Sequence, residues 1–600
     1  MPIEIFKNRK SLFEREYSLS SGKYNRLSVI RVVLFIAFIT AAILLVNSKM
    51  YLAFVVLAFL FPLLFGTLVR FHNRIKFQRD QFRLLALTNE HELQRLEGKI
   101  HDFDGGEEFK DELHPYGNDL DIFGRNSLFQ LLSRATSPAG KQSLANWLTN
   151  RCSNSEITAR QKACQELSEK IDWRQEFQAL GLHDQDTKHD YHKLIDWVQR
   201  TEINDKTVLL KTVGIILPII TIGLLVLNLT VGISIYFFFG MLAINGLILK
   251  RFAVKVLEIT EETNNNVSLL KSFGRLMSHI EHSEFHSSYL LERQRYFTFS
   301  GYSSAKAISK LQRILDFLNS RSNMFFGIID LVLLADIHLV LSIRKWKREN
   351  AQYVMEWFEA IGEIEAISSL AGFAFANRNY VYPKLHHDHC LYQAQALGHP
   401  LIFNGEGVTN HFELSDSGKI AIVTGSNMSG KSTFLRTLGV NAVLAFTGAP
   451  CCATELELSN FQVFTSMRTQ DNLEEHVSSF YAELKRLRQL LDTIQSEETP
   501  IFFLLDEILK GTNSKDRHLG SASLVRQLSH ENAFGLVSTH DLELGELSVS
   551  MDNVTNYSFN SQIKGDEILF DYRLTDGICK SFNASKLMEN MGIKIKSPEN

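Results

Sequence analysis

Thr424-Gly425-Ser426-Asn427-Met428-Ser429-Gly430-Lys431-Ser432-Thr433 is the stretch on which the reading of this 600-residue chain turns. It is a complete G-x-x-x-x-G-K-S loop. Residues 419–423 before it read as a buried strand, and residues 434–438 after it as the first turns of a helix. Glycines let backbone N–H groups close around phosphate oxygens, and a helix N-terminus adds partial positive charge. The pattern therefore predicts a nucleotide site with ATP and Mg²⁺ as its ligands. Gly425, Asn427, Met428, Ser429, Gly430, Lys431, Ser432 and Thr433 line it, Lys431 reaching the β- and γ-phosphates and Ser432 holding Mg²⁺.

Such a site needs a second strand that ends in a carboxylate. Residues 501–507 are a continuous apolar run closing on Asp506 and Glu507, the pattern of a parallel strand covered on both faces. Asp506 is expected in the Mg²⁺ shell, and Glu507 as the base for the attacking water. Residues 535–540 read as a third core strand ending at His540, which either senses the γ-phosphate or is structural. Gly511-Thr512-Asn513-Ser514 reads as a tight polar loop facing a partner subunit. Ser478-Ser479-Phe480 opens a helix with apolar positions at Phe480, Leu484, Leu487, Leu491 and Ile494. Either serine can serve as its N-cap or point at a neighbouring subunit's γ-phosphate.

These residues together resemble the MutS family of ABC-type ATPases. The loop is similar to that family's T-G-x-N-M-x-G-K-S-T, including the Asn427-Met428 pair. Leu505-Asp506-Glu507-Ile508 through Gly511-Thr512, Ser478-Ser479-Phe480 and Ser538-Thr539-His540 resemble its later motifs. So do His399-Pro400, Asn410, Tyr572-Arg573-Leu574, Gly577-Ile578-Cys579 and Ser581-Phe582. Upstream, residues 127–132, 136–140, 144–148, 159–161 and 365–371 are similar to the family's helical core. The resemblance implies ATP hydrolysis with Glu507 and His540 at the reacting end. It also implies a homodimer through the ATPase domains, with Ser478 or Ser479 completing the opposite site, and DNA as the partner gripped by the helical levers. The G-x-F-Y-E reading motif, the connector domain and the clamp are not recognised. The stretch after Gly592 reads as too short for the family's helix-turn-helix tail. Mismatch recognition is therefore in question where ATP turnover is not.

Elsewhere the chain is apolar. Residues 32–48 and 50–69 are uncharged runs separated by Lys49, and residues 212–249 form an uncharged run broken near Asn228 to Gly232. A bilayer crossing takes about 20 apolar residues, so two transmembrane hairpins are expected, the second with spans at 212–228 and 231–249. Basic residues flank both hairpins, and Lys49 alone lies in a connecting turn, which places the folded domains on the cytoplasmic side of a multi-pass inner membrane protein. A third apolar stretch, residues 322–343, carries Asp330, Asp336 and His338, and reads as a buried helix of the core because intramembrane charge is costly.

The expected fold is an α/β P-loop ATPase domain after an α-helical core and lever, with four transmembrane helices. Its divisions are a leader and hairpin (1–84), a linker (85–115) that includes the acidic stretch 102–112, core (116–205), a second hairpin (206–251), lever (252–395) and ATPase (396–600). With 63 basic and 67 acidic residues the net charge is −4, so nothing pulls the whole chain towards nucleic acid. Lys485-Arg486-Leu487-Arg488 and Arg344-Lys345-Trp346-Lys347-Arg348 read as solvated helix faces. Six cysteines without C-x-x-C spacing suggest reduced thiols. His386, His387, His389 and Cys390 crowd one loop but lack a second ligand cluster for a metal. Two functions are open: a membrane-anchored ATPase that binds DNA, and one that acts on a protein partner or on its own spans. No small-molecule substrate beyond ATP is expected.

Overall fold

The computed structural model describes residues 2–183, 191–200, 207–263, 267–298, 303–322, 324–387, 390–403, 405, 407–468, 479–564 and 567–580. Two helices of 46 residues, α1 (Pro2–Asn47) and α2 (Tyr51–Leu96), fold back on one another at a turn where Lys49 has φ 57°. In each, none of the most apolar eighteen-residue window is buried by the rest of the chain. The expected leader is thus no separate segment, because residues 2–31 are the first part of α1.

The helical core follows as α3 (Leu128–Leu132), α4 (Pro138–Thr149), α5 (Asn154–Glu169), α6 (Ile171–Leu182) and α7 (Tyr191–Gln199). A second apolar pair, α8 (Thr207–Val231) and α9 (Tyr236–Thr263), interrupts it. It resumes with α10 (Val267–Glu281), α11 (Ser288–Phe297), α12 (Ser304–Asn319), α13 (Met324–Leu333) and the 42-residue α14 (Ala335–Ala376). Ser127, Ser137, Ser153 and Ser303 cap four of these helices through side-chain oxygens that accept backbone N–H groups. The C-terminal half of α14 is almost wholly buried, and Glu365 within it accepts hydrogen bonds from Thr136 and Ser137 at the start of α4. A Cβ on Gly362 would stand 2.6 Å from the Ala139 carbonyl oxygen, so glycine sets this close approach.

Three expectations need correction. Residues 85–96 are not linker: they continue α2, burying Leu84 and Leu85 with Ala179 of α6. Nor are residues 97–115 loose, since Ile100 is buried, Gly124 N donates to the Gly105 carbonyl at 2.8 Å, and the Pro115 carbonyl accepts from Thr465 N at 2.9 Å. The stretch 322–343 is not one buried helix: it breaks at Leu334 (φ 50°) into α13 and α14, which meet at 80°.

Beyond α14 lie two sheets. The smaller has strand order β1-β5-β2-β3, from β1 (Lys384–His386), β2 (Leu391–Leu397), β3 (Asn410–Ser415) and β5 (Glu455–Ser459). The boundary expected at 395/396 therefore falls inside β2. The larger has order β10-β9-β4-β8-β7-β6, from β4 (Ile420–Gly425), β6 (Gln462–Ser466), β7 (Ile501–Asp506), β8 (Ala533–Thr539), β9 (Val554–Lys564) and β10 (Glu567–Asp576). Only β10 is antiparallel in it. Every residue of β4 and β7 is buried, as their unbroken apolar sequences require. Helices α15 (Lys431–Thr447), α16 (Ser479–Ser496), α17 (Ser514–Leu528) and α18 (Leu547–Ser550) complete this part of the chain.

Candidate active site

β4, β8 and β7 lie side by side, so their C-terminal ends bring Gly425, His540 and Asp506-Glu507 to one edge of the sheet, where ligands of open α/β sheets bind. Between β4 and α15 the chain makes a tight loop in which Met428 (φ 67°) and Gly430 (φ 104°) are left-handed. A Cβ on Gly425 would fall 2.8 Å from the Ser429 hydroxyl and 2.9 Å from the Phe559 carbonyl, so only glycine fits there. Asn427, Met428 and Thr433 are exposed, and Ser432 is half-buried. Lys431 is buried, and its Nζ donates to the carbonyls of Gly425 (2.9 Å) and Ser426 (3.0 Å). Burial pulls its pKa below the usual lysine value, against the opposing pull of Glu507 and Asp506.

The acids are held differently. Ser538 Oγ donates to Asp506 Oδ1, fixing that carboxylate within the sheet edge. Glu507, at φ 51°, faces His540 Nε2 at 2.5 Å through Oε1 and Lys510 Nζ at 3.0 Å through Oε2. The hydrogen bond from His540, with that from Lys510, holds its carboxyl down to about 2 despite partial burial. The other ring nitrogen of His540, Nδ1, donates to the Gly425 carbonyl at 2.7 Å. His540 therefore ties the glycine loop to Glu507.

A cavity of about 490 Å³ opens over the loop. His399, Ile402, Val408 and Asn410 form one wall, Glu507 stands at one side, and Tyr572 and Phe559 close another. Tyr572 sits at a bulge in β10 with φ 55°, and its ring would lie 3.1 Å from a Cβ on Gly430. Asn410 holds the bulge, donating to the Tyr572 carbonyl (3.1 Å) and accepting from Leu574 N (2.8 Å). Burial and Arg436 lower His399 to about 4.

Lys510, Glu483 and the part played by Tyr572 are beyond sequence reasoning. Glu483 is buried on α16 and accepts from the backbone N–H groups of Leu509 and Lys510, joining that helix to the turn after Glu507. Its carboxyl is raised by burial. Gly511 packs on Phe480, where a Cβ would fall 2.5 Å from the phenylalanine Cβ.

Ser479 opens α16, while Ser478 and Ser581-Phe582 lie outside the described residues. Along α16, Leu487 and Ile494 are buried as expected, Phe480 and Leu491 are partly buried against the same cluster, Leu490 joins them, and Leu484 is exposed. Neither basic run is simply a solvated face. Arg486 donates to the Thr465, His114 and Pro115 carbonyls, and Arg344 and Trp346 are buried. In the histidine loop, His386 pairs with Glu457 at 2.9 Å, His387 meets Asn154 at 3.3 Å and Cys390 is buried; His389 lies outside the described residues. Among the described residues, one group of three side chains has metal-ligand reach: His518, Asp541 and Glu543.

With this geometry the comparisons are specific. Residues 421–593 match the family model of MutS domain V. The chain is 27% identical over 256 residues to a DNA mismatch repair protein MutS of Natronomonas pharaonis, covering 42% of this chain and 29% of the relative. It is 28% identical over 285 residues to one of Staphylococcus carnosus (46% and 32%), and 32% identical over 243 residues to one of Finegoldia magna (39% and 28%). Residues 421–593 are thus similar to MutS domain V, and the chain to MutS proteins over less than half of its length. MutS domain V is an ATPase domain, and here it holds the glycine loop, Asp506, Glu507, His540 and Tyr572. The matches span only about a third of the MutS relatives' own length.

Proposed function

We propose that this protein is a membrane-anchored MutS-family ATPase that binds and hydrolyses ATP with Mg²⁺ as a homodimer. The observation that carries the reading is the convergence of Lys431, Asp506, Glu507 and His540 on one sheet edge beneath the cavity. The residues fit the ligand. Among the described residues, Ser426 Oγ and Ser429 Oγ are buried in the loop without a partner, and Lys431 is desolvated where the phosphates would enter. Ser432 and Asp506 would hold Mg²⁺, which supplies charge neutralisation for the phosphates. Tyr572 would cover the base. Lys431 would leave the carbonyls of Gly425 and Ser426 to bind phosphate oxygens. Glu507, once freed from His540, would take the proton of a water whose oxygen bonds to the γ-phosphorus as the bond to the ADP oxygen breaks. His540, in turn, would hold Glu507 and the loop in register. Ser478 or Ser479 would complete the partner's site. Lys431→Ala should abolish binding of a fluorescent ATP analogue; unchanged affinity refutes the assignment.

The four apolar helices, with at most 17% of each most apolar window buried, support two hairpins in the inner membrane with the core and domain V on the cytoplasmic side. Labelling of cysteines at Lys49 and Thr230 from the side opposite Ser432 tests this. Similarity to DNA mismatch repair proteins supports DNA as the partner of the levers. Salt-sensitive binding with a steep slope is the expected signature, and absence of binding at low salt with and without ATP removes DNA from the proposal.

One contact favours the second reading, in which ATP acts on the spans themselves. Gly98, just beyond α2, lies against Phe403, a Cβ there falling 2.7 Å from its ring. Phe403 is the neighbour of Ile402 in the cavity wall. α2 thus runs from the first hairpin to within two residues of a contact with the neighbour of a cavity-wall residue.

A further inference from the structure

α13 is built inside out. A helix on a water-facing surface buries its apolar stripe and exposes its polar one. In α13, Asp330 is 6% exposed while Ile328, Ile329 and Leu333 are 61%, 46% and 42% exposed. The break after it is fixed. Leu334 N donates to the Asp330 carbonyl (2.8 Å), Asp336 N to Asp330 Oδ1 (2.8 Å), and Arg321 pairs with the fully buried Asp336 at 2.8 Å. The 80° angle between α13 and α14 is thus held by these polar contacts.

The neighbours of α13 fix its level along the second hairpin. Asn245 of α9 donates to the Leu331 carbonyl at 3.0 Å and to Thr221 of α8 at 3.0 Å, and Leu331 packs on Gly246. At the other side of the break, His338 bonds the Gly214 carbonyl of α8 at 2.8 Å. Gly214 follows Lys211, and Asn245 precedes Lys250, by only a few residues. At 1.5 Å rise per residue, both contacts lie within about 8 Å of those basic ends. Ten residues give about 15 Å of helix, half of the roughly 30 Å needed to cross.

We propose that α13 is a half-inserted wedge whose exposed face, Ile328, Ile329 and Leu333, contacts the acyl chains of the cytoplasmic leaflet. This rests on the reading of α8 and α9 as membrane spans, against which α13 packs through Leu331. The wedge is rigidly joined to α14, whose other end is packed into the core beside domain V. Movement of α14 in the ATPase cycle therefore tilts a segment lying in one leaflet. The Asn245–Leu331 bond explains how backbone freed near a break is satisfied away from water.

The test uses the full-length protein in vesicles of phosphatidylethanolamine and phosphatidylglycerol. A photoreactive benzoylphenylalanine is placed singly at position 328, at 247 on α9, or at 519 on α17, all three exposed. Lipid adducts are read by mass spectrometry. The expected result is adducts at 328 and 247 in comparable yield and none at 519. Adducts at 247 without adducts at 328 overturn the wedge and leave the spans standing. Cross-linking of 328 to a second protein chain in place of lipid also overturns it. Failure at 247 as well overturns the membrane reading on which the wedge depends.

Discussion

Removing Arg134 should uncouple the two long helices that reach towards domain V. Arg134 meets Glu92 of α2 through two hydrogen bonds, Nε at 2.9 Å and Nη2 at 2.8 Å, with the side chains 4% and 5% exposed. Its backbone N–H donates to Ser369 Oγ of α14 at 3.0 Å, and a Cβ on Gly372 would fall 2.4 Å from its guanidinium. Burial alone would raise the Glu92 carboxyl, yet Arg134 and Arg95 together hold it below its usual value. Arg134→Ala leaves that charge with Arg95 as its ion-pair partner, at 3.3 Å, and the more distant Arg174. Breaking a buried pair costs about 3–5 kcal/mol, and the residual Arg95 contact places the expectation near the lower end. Replacing both partners with leucine should cost less than the single change, because no buried charge remains. All five tryptophans, Trp147, Trp173, Trp197, Trp346 and Trp357, lie in the helical core, so their fluorescence during urea denaturation reports that unit and not domain V. Lys345→Ala, which breaks an exposed pair with Glu349 in the same helical core, serves as the reference and should shift stability by less than about 0.5 kcal/mol. An Arg134→Ala shift no larger than that of the reference refutes the reasoning.

Two further outcomes are expected. Asn410→Ala removes both hydrogen bonds that hold the Tyr572 bulge, so KM for ATP should rise by the equivalent of about 1–3 kcal/mol with kcat little changed; a fall in kcat alone would contradict it. Glu507 titrates at about 2 in the folded site against 4.5 ordinarily, so its stabilising contribution is present above pH 4.5 and is lost as pH falls from there towards 2. Hydrogen-exchange protection across residues 501–540, taken relative to the intrinsic rate at each pH, should fall over that window in the parent and change less in Glu507→Gln; identical pH profiles would refute the His540 contact as its cause.

The site was legible where chemistry is local in sequence. The glycine loop fixes its own backbone, so Gly425, Gly430 and Lys431 could be read directly, and unbroken apolar runs marked β4 and β7 as central strands. What escaped was carried by distant partners. Nothing near Glu483 or Tyr572 shows that one caps the turn after Glu507 and the other leans over Gly430. The same holds for Arg486, whose charge suggested solvent but whose donors are spent on carbonyls of residues 114, 115 and 465. The acidic stretch 102–112 looked like a tether because composition carries no sign of the contacts that order its neighbours. Asp330 and Asp336 argued against a lipid-facing helix by their charge, yet both point inward and leave the isoleucines outside. Hydropathy found the four apolar helices, but not that α1 and α2 run on far beyond their apolar parts.

The central claim is that domain V turns over ATP through Glu507. The direct measurement is phosphate release by the full-length protein in vesicles with ATP and Mg²⁺, alongside nucleotide affinity, for the parent and Glu507→Gln. The account predicts hydrolysis by the parent. It predicts retained affinity with turnover lowered by about 10²-fold or more in the variant, the scale of losing a general base. A parent that binds ATP without hydrolysing it, or a variant that hydrolyses at the parent rate, would contradict it.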